Sequence, residues 1–180
     1  MKNFLTILLF LALTTGVYAS EQSVLNDATA FLYSKMNGAQ MPPEIRKEYE
    51  IAALIAVGMN YATTFNGNDM INTGNLILRK VPNTKNPDKN AVYLMAYMYK
   101  AYGNAMCFEF TEAHSALNKM AQYKNVNFNG KSGAIMYNET VQFVSIIEKE
   151  YSKAKSVGFD DSDLRLKQQI RRQLGLWKNY

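Results

Sequence analysis

The chain has 180 residues, with 20 Lys and Arg against 15 Asp and Glu, one His and one Cys. A net charge of +5 with both signs interspersed falls short of a nucleic-acid footprint, and a single cysteine excludes an internal disulfide. One histidine with no cysteine beside it does not make a typical zinc site, so neither a metal nor a cofactor is expected.

The amino end reads as an export signal. Lys2 supplies the positive start, Phe4 to Leu13 a short apolar stretch, and Val17-Tyr18-Ala19 the small residues of a cleavage site. That stretch is too short to span a bilayer, which takes ~20 apolar residues. Cleavage after Ala19 leaves residues 20–180 as one domain of 161 residues (180 − 19), with a charge of +4 once Lys2 is gone. The longest apolar run beyond it, Ala91 to Tyr99, is also too short to span. The expected product is exported, periplasmic or secreted, with no transmembrane segment.

Helical periodicity dominates the rest. A first helix covers Glu21 to Met36, with Val24, Leu25, Ala28, Phe31 and Leu32 on one face and Asn37-Gly38 after it. Pro42-Pro43 opens a second helix that runs to about Phe65 through an alanine-rich middle. Asn66 to Asp69 reads as a turn, with Asp69 capping a third helix from Met70 to Val81. After the Pro82–Pro87 linker, Asp88 caps a fourth helix to about Tyr102 that is apolar almost all round, which belongs at the centre of a bundle. Gly103-Asn104 reads as a turn or a new helix start. A fifth helix spans Phe108 to Tyr123, Asn125 to Gly130 is a polar connection, and a long sixth helix covers Lys131 to Lys155. Asp160 to Ser162 then caps a last amphipathic helix with Leu166, Ile170, Leu174 and Trp177 on one stripe and Arg165, Lys167, Arg171, Arg172 and Lys178 opposite.

Three segments recur at a spacing of 38 residues: Gly58-Met59-Asn60-Tyr61, Ala96-Tyr97-Met98-Tyr99 and Ala134-Ile135-Met136-Tyr137. Each pairs a small residue with a Tyr three positions on. The pattern resembles tetratricopeptide and Sel1-like repeats, most fully from Val57-Gly58 through Gly67 to Pro82. It departs from them at Gly74 and Ile77 in the second helix. On that resemblance, the groove-facing side of the fourth helix presents Asn90, Tyr93, Tyr97 and Lys100, the candidate partner-binding residues.

Catalytic residues are not expected. His114 and Ser115 are adjacent and diverge by ~100° on a helix. Of the acidic groups Glu44/Glu48/Glu50, Glu109/Glu112 and Glu148/Glu150, Glu44 and Glu48 are i,i+4 surface neighbours interleaved with Arg46 and Lys47, and no β-hairpin signal of the kind that accompanies a glycosidase site is read. Cys107, between Met106 and Phe108, reads as a buried small apolar residue. The basic amphipathic C-terminal helix fits a cap on the bundle, with peripheral contact to an anionic membrane as its other reading.

The fold expected is therefore all-α: about seven helices in antiparallel hairpins, as an irregular bundle or a short tetratricopeptide-like solenoid with a C-terminal capping helix. The expected function is an exported, non-enzymatic protein-binding module of the adaptor, periplasmic chaperone or inhibitor/immunity type. The alternative is a carrier holding a small hydrophobic ligand in a cavity lined by some of the ten methionines and twelve tyrosines. A third reading is a cell-wall glycan hydrolase, which requires a buried Glu with a raised pKa.

Overall fold

The computed structural model describes residues 21–35, 45–83, 88–128, 130–158 and 164–173. The signal segment, Asn37-Gly38, Pro42-Pro43, Pro87, Asp160 to Ser162, Leu174, Trp177 and Lys178 lie outside the described residues.

Among the described residues the chain is all-α. A helix through residues 21–35 (α1) is followed by α2 (Arg46–Thr64) and α3 (Gly67–Lys80) with a 3₁₀ turn at Val81–Asn83. Then come α4 (Lys89–Met106), α5 (Phe110–Met120) with a 3₁₀ turn at Ala121–Tyr123, α6 (Gly133–Ser156) and α7 (Leu164–Gln173). Between α5 and α6 lies a two-stranded antiparallel ribbon, Asn127–Phe128 against Lys131–Ser132. The polar connection expected there is thus a small hairpin, and Gly130 at φ +80° turns it.

Helix α4 is the central element, as its all-round apolar pattern requires. It packs against α2, α3, α5 and α6, and buries Leu94, Met95, Ala96, Met98, Tyr99, Ala101 and Ala105. Its closest neighbour is α3, through glycine. A Cβ on Gly67 would lie 2.7 Å from the Gly103 carbonyl, and one on Gly74 would lie 2.7 Å from the Ala96 carbonyl. The two contacts are two turns apart on each helix and run antiparallel, so the backbones meet along a seam of small residues. Gly103-Asn104 therefore does not turn the chain: α4 continues through both to Met106. Likewise Gly67 lies inside α3, which starts three residues before Met70, at Gly67.

The cap of α3 is Asn66 rather than Asp69. Its Oδ1 accepts from the Asp69 backbone N–H at 3.3 Å, and its Nδ2 donates to the Asp69 carboxylate at 2.7 Å. The pair satisfies one orphan helical donor and fixes both side chains, a variant of the capping box.

Hairpins α2/α3 and α4/α5 turn in the same way. After α2, Phe65 takes a left-handed φ of 58°, with N–H bonds from Phe65 to the Ala62 carbonyl and from Asn66 to the Tyr61 carbonyl. After α4, Phe108 takes φ 64°, with N–H bonds from Phe108 to the Ala105 carbonyl and from Glu109 to the Asn104 carbonyl. Both are Schellman-type ends with Phe where glycine is usual. They move the start of α5 to Phe110, two residues later than periodicity indicates.

The remaining helices close the bundle. Val24 and Ala28 of α1 enter the core, and buried Glu21 takes a two-pronged ion pair from Arg79 of α3 at 2.7 and 3.0 Å. Leu166 and Ile170 of α7 are buried, while Lys167 and Arg172 face solvent. No helix among the described residues is long and apolar enough to cross a membrane.

Candidate functional site

Asn90, Tyr93, Tyr97 and Lys100 recur at helical spacing, so α4 presents them on one face. Asn90 is exposed and the other three are half-buried. Sequence spacing does not show what flanks them. On one side stands α3, where the Lys100 ammonium donates to the Asn75 side-chain oxygen at 2.7 Å and the Lys100 stem crosses Gly74. On the other stands the 3₁₀ turn after α5, which brings in a third tyrosine. The Tyr123 ring stacks on Tyr93 with centroids 5.3 Å apart and on Tyr97 at 5.9 Å, with interplanar angles of 30° and 12°.

This three-ring ladder is preorganised. Tyr93 and Tyr97 are fixed by the helix, and Tyr123 is locked between them, so a partner meeting these rings orders few side chains on contact. Burial pushes the Tyr97 hydroxyl above its usual range, and the neighbouring Tyr123 and Tyr93 add to that. Burial lowers the Lys100 pKa. The face therefore offers three phenol rings, one carboxamide and one partly desolvated ammonium. Such groups can hold and orient a ligand, and none of them is paired as nucleophile and base. Tyr123 is the residue that sequence reasoning leaves out of the site. It lies a whole helix hairpin away, and only its aromatic character and its place at a helix end hint at the role.

A concavity lies elsewhere, where the two hairpin turns meet. A cleft of about 470 Å³ is lined by Thr64, Asn66, Asn68 and Lys167 alongside Phe65, Met106, Cys107 and Phe108. Both left-handed phenylalanines stand on its wall. Cys107 is half-buried there rather than fully buried, and its thiol points to the Asn68 side-chain oxygen at 3.4 Å. Burial, with some help from Glu109 and against Lys167, pushes the thiol up to about 11. It is therefore protonated at neutral pH and a poor nucleophile.

Two of the candidate carboxylates, Glu50 and Glu150, are tied to cations. Burial raises Glu50, but hydrogen bonds and charge from Lys80 and Arg46 outweigh it and hold the group below its ordinary value. Glu150 is held low chiefly by the Lys153 hydrogen bond, against its burial, with Gln169 assisting. These shifts are opposite to those a general acid needs. His114 meets Glu148 at 3.1 Å on an exposed surface. Among the described residues no three His, Cys, Asp or Glu side chains converge to hold a metal ion. The methionines Met70, Met95, Met98, Met106, Met120 and Met136 are buried as members of the core cluster.

Comparison of the chain with protein-family models, with curated proteins and with solved structures found no match.

Proposed function

We propose that this chain is an exported, non-enzymatic binding module that recognises another protein through the α4 face of Asn90, Tyr93, Tyr97 and Lys100, with Tyr123 completing it. The single observation that carries the reading is the stacked Tyr93–Tyr123–Tyr97 ladder, half-buried and flanked by an exposed carboxamide and an ammonium. Tyrosines held in this way give large contact area at low entropic cost, and such residues dominate protein interfaces. The carboxylates with lowered pKa and the protonated thiol favour binding over catalysis. The shared turns of the α2/α3 and α4/α5 hairpins support a relationship to short helical solenoids, which bind partners on the surfaces of stacked hairpins.

The test is affinity capture from the source cells with the exported protein, comparing wild type with Tyr97→Ala/Tyr123→Ala. One stoichiometric protein partner, lost at least tenfold in the variant while its helical circular dichroism persists, is the expected result. Equal capture by the folded variant would move the interface elsewhere, and bound lipid without protein would replace the reading with the carrier.

A further inference from the structure

The elements that frame the Tyr93–Tyr123–Tyr97 ladder carry cations and no carboxylate. Residues 70–83, 89–108 and 113–138 hold six Lys and one Arg, and neither Asp nor Glu. The acidic residues that border these stretches, Asp69, Asp88, Glu109 and Glu112, all stand at helix starts, where the positive end of the dipole holds them. Arg79 pairs with Glu21, Lys80 with Glu50 and Lys131 with Glu139. The other four, Lys89, Lys100, Lys119 and Lys124, have no carboxylate partner among the described residues. Lys89 donates to the Pro82 carbonyl and Lys100 to the Asn75 side-chain oxygen, both neutral acceptors. Charges that are interspersed along the chain are thus sorted by the fold, which leaves uncompensated cations around the rings.

We propose that the α4 face takes a short acidic segment of its partner protein, an extended stretch with carboxylates towards both ends and apolar side chains between them. This rests on the binding reading given for that face and names the chemistry of the partner. Lys89 stands one turn before Tyr93 and Lys100 one turn after Tyr97, so the two ammoniums bracket the rings along α4. They are 11 residues apart (100 − 89), about 16 Å at the helical rise, which about five residues of extended chain can reach. Exposed Lys119 and Lys124 flank Tyr123 in the same way on the other side. A segment laid along the ladder therefore meets a cation at each end and at its flank, and such complementarity steers encounter and fixes register.

The rings select the same occupant. Stacking occupies both faces of the Tyr123 ring, which a nucleic-acid base would need open. Ring edges are the electropositive part of an aromatic, and phenol hydroxyls can donate hydrogen bonds, so what the ladder retains also favours carboxylates.

The experiment is fluorescence anisotropy of the exported protein with a labelled peptide, Glu-Asp-Leu-Phe-Glu-Asp, and its uncharged counterpart, Gln-Asn-Leu-Phe-Gln-Asn. The acidic peptide should bind at least tenfold more tightly, with a preference that shrinks at high salt. Lys119→Gln/Lys124→Gln, both at exposed positions, and Lys100→Gln should each weaken it several-fold with thermal unfolding unchanged for the exposed pair. Lys47→Gln, which removes the same charge from α2, should leave binding as it is. Equal binding of the two peptides, no binding of the acidic one, an equal loss in Lys47→Gln, or preference for an oligothymidylate or a sulfated glycan overturns the proposal. Affinity capture separates this proposal from the interface beneath it. A partner lost in Tyr97→Ala/Tyr123→Ala but retained in full by Lys119→Gln/Lys124→Gln at high salt keeps the α4 interface and removes the acidic segment. A partner retained by the folded tyrosine variant removes both.

Discussion

The hydroxyl of Tyr99 donates to the backbone carbonyl of Ile55 at 2.6 Å, and its ring fills the space where a side chain on Gly58 would begin. Two of the segments that recur at the 38-residue spacing meet in this contact: the small residue of the first receives the tyrosine of the second. Tyr61, the tyrosine of the first segment, likewise reaches back, donating to the Asp27 carboxylate of α1. The third segment differs, because Ala134 is exposed.

Gly58→Ala should therefore destabilise the fold. Its Cβ would stand 2.6 Å from Tyr99 Cε2, and the fully buried ring, tied at its hydroxyl, cannot retreat. A loss of about 1–3 kcal/mol in urea unfolding is expected. Tyr99→Phe should cost about 0.5–1.5 kcal/mol by removing the hydrogen bond alone. Tyr99→Leu should mask the Gly58→Ala penalty, giving a double mutant less destabilised than the two single losses added together. Strict additivity would show that the ring and the glycine are not coupled.

Gly103→Ala and Gly130→Ala separate two reasons for glycine. At Gly103 the new Cβ would meet the Gly67 carbonyl at 2.6 Å and Ile71 Cγ1 at 2.7 Å, so α3 and α4 must part. At Gly130 nothing lies within 4 Å, and the cost comes only from φ +80°. Chemical denaturation should place Gly103→Ala near 3 kcal/mol, at the upper end for overpacking, and Gly130→Ala near 1 kcal/mol. The reverse order would refute the close α3–α4 seam.

The same glycines explain which parts of the fold are legible in the sequence. The central position of α4 can be read directly, because Val92 to Tyr99 leaves no polar face. Its end cannot: Gly103-Asn104 has the composition of a turn, and only the backbone of α3 lying against Gly103 gives the glycine a helical reason to be there. Its true end is hidden for the opposite reason, since Phe108 occupies a left-handed position that sequence rules assign to glycine, whereas α2 ends at Phe65, where the polar stretch from Asn66 places it. At the candidate site, Tyr93 and Tyr97 are legible as one face. Tyr123 is not, because its stacking depends on how the α4/α5 hairpin closes.

Asn66→Ala removes both halves of the α3 cap: the acceptor for the Asp69 N–H and the donor to the Asp69 carboxylate. A loss of about 1 kcal/mol is expected, within the usual range for a missing N-cap. Asn66→Asp retains the acceptor but sets a second carboxylate against Asp69, so it should recover only part of that loss, and more of it at high salt. Thermal unfolding at low and high ionic strength checks both expectations. Full recovery by Asp at low salt would mean that the donor half of the cap contributes nothing.

Glu150 should make stability depend on pH through the α6–α7 junction. The residue is buried, accepts from Lys153 at 2.7 Å and from Gln169 of α7 at 3.0 Å, and is held below its ordinary pKa of 4.5 mainly by the Lys153 bond. Because the folded value lies below the unfolded one, the unfolded chain binds more protons between the two, and stability rises with pH there. The contribution is fully present above about 4.5 and is lost as pH falls through the folded value. Glu50, lowered by Lys80 and Arg46, adds to the same slope. Glu150→Gln should be less stable than wild type at pH 7 and nearly equal to it once the wild-type carboxyl is protonated, so the two stability curves converge as pH falls through the folded value. Gln169→Leu should lose part of the pH 7 stability but keep most of the slope, because the larger bond from Lys153 remains. Parallel curves for wild type and Glu150→Gln from pH 7 down to acid would show that this carboxylate does not tie α7 to the bundle.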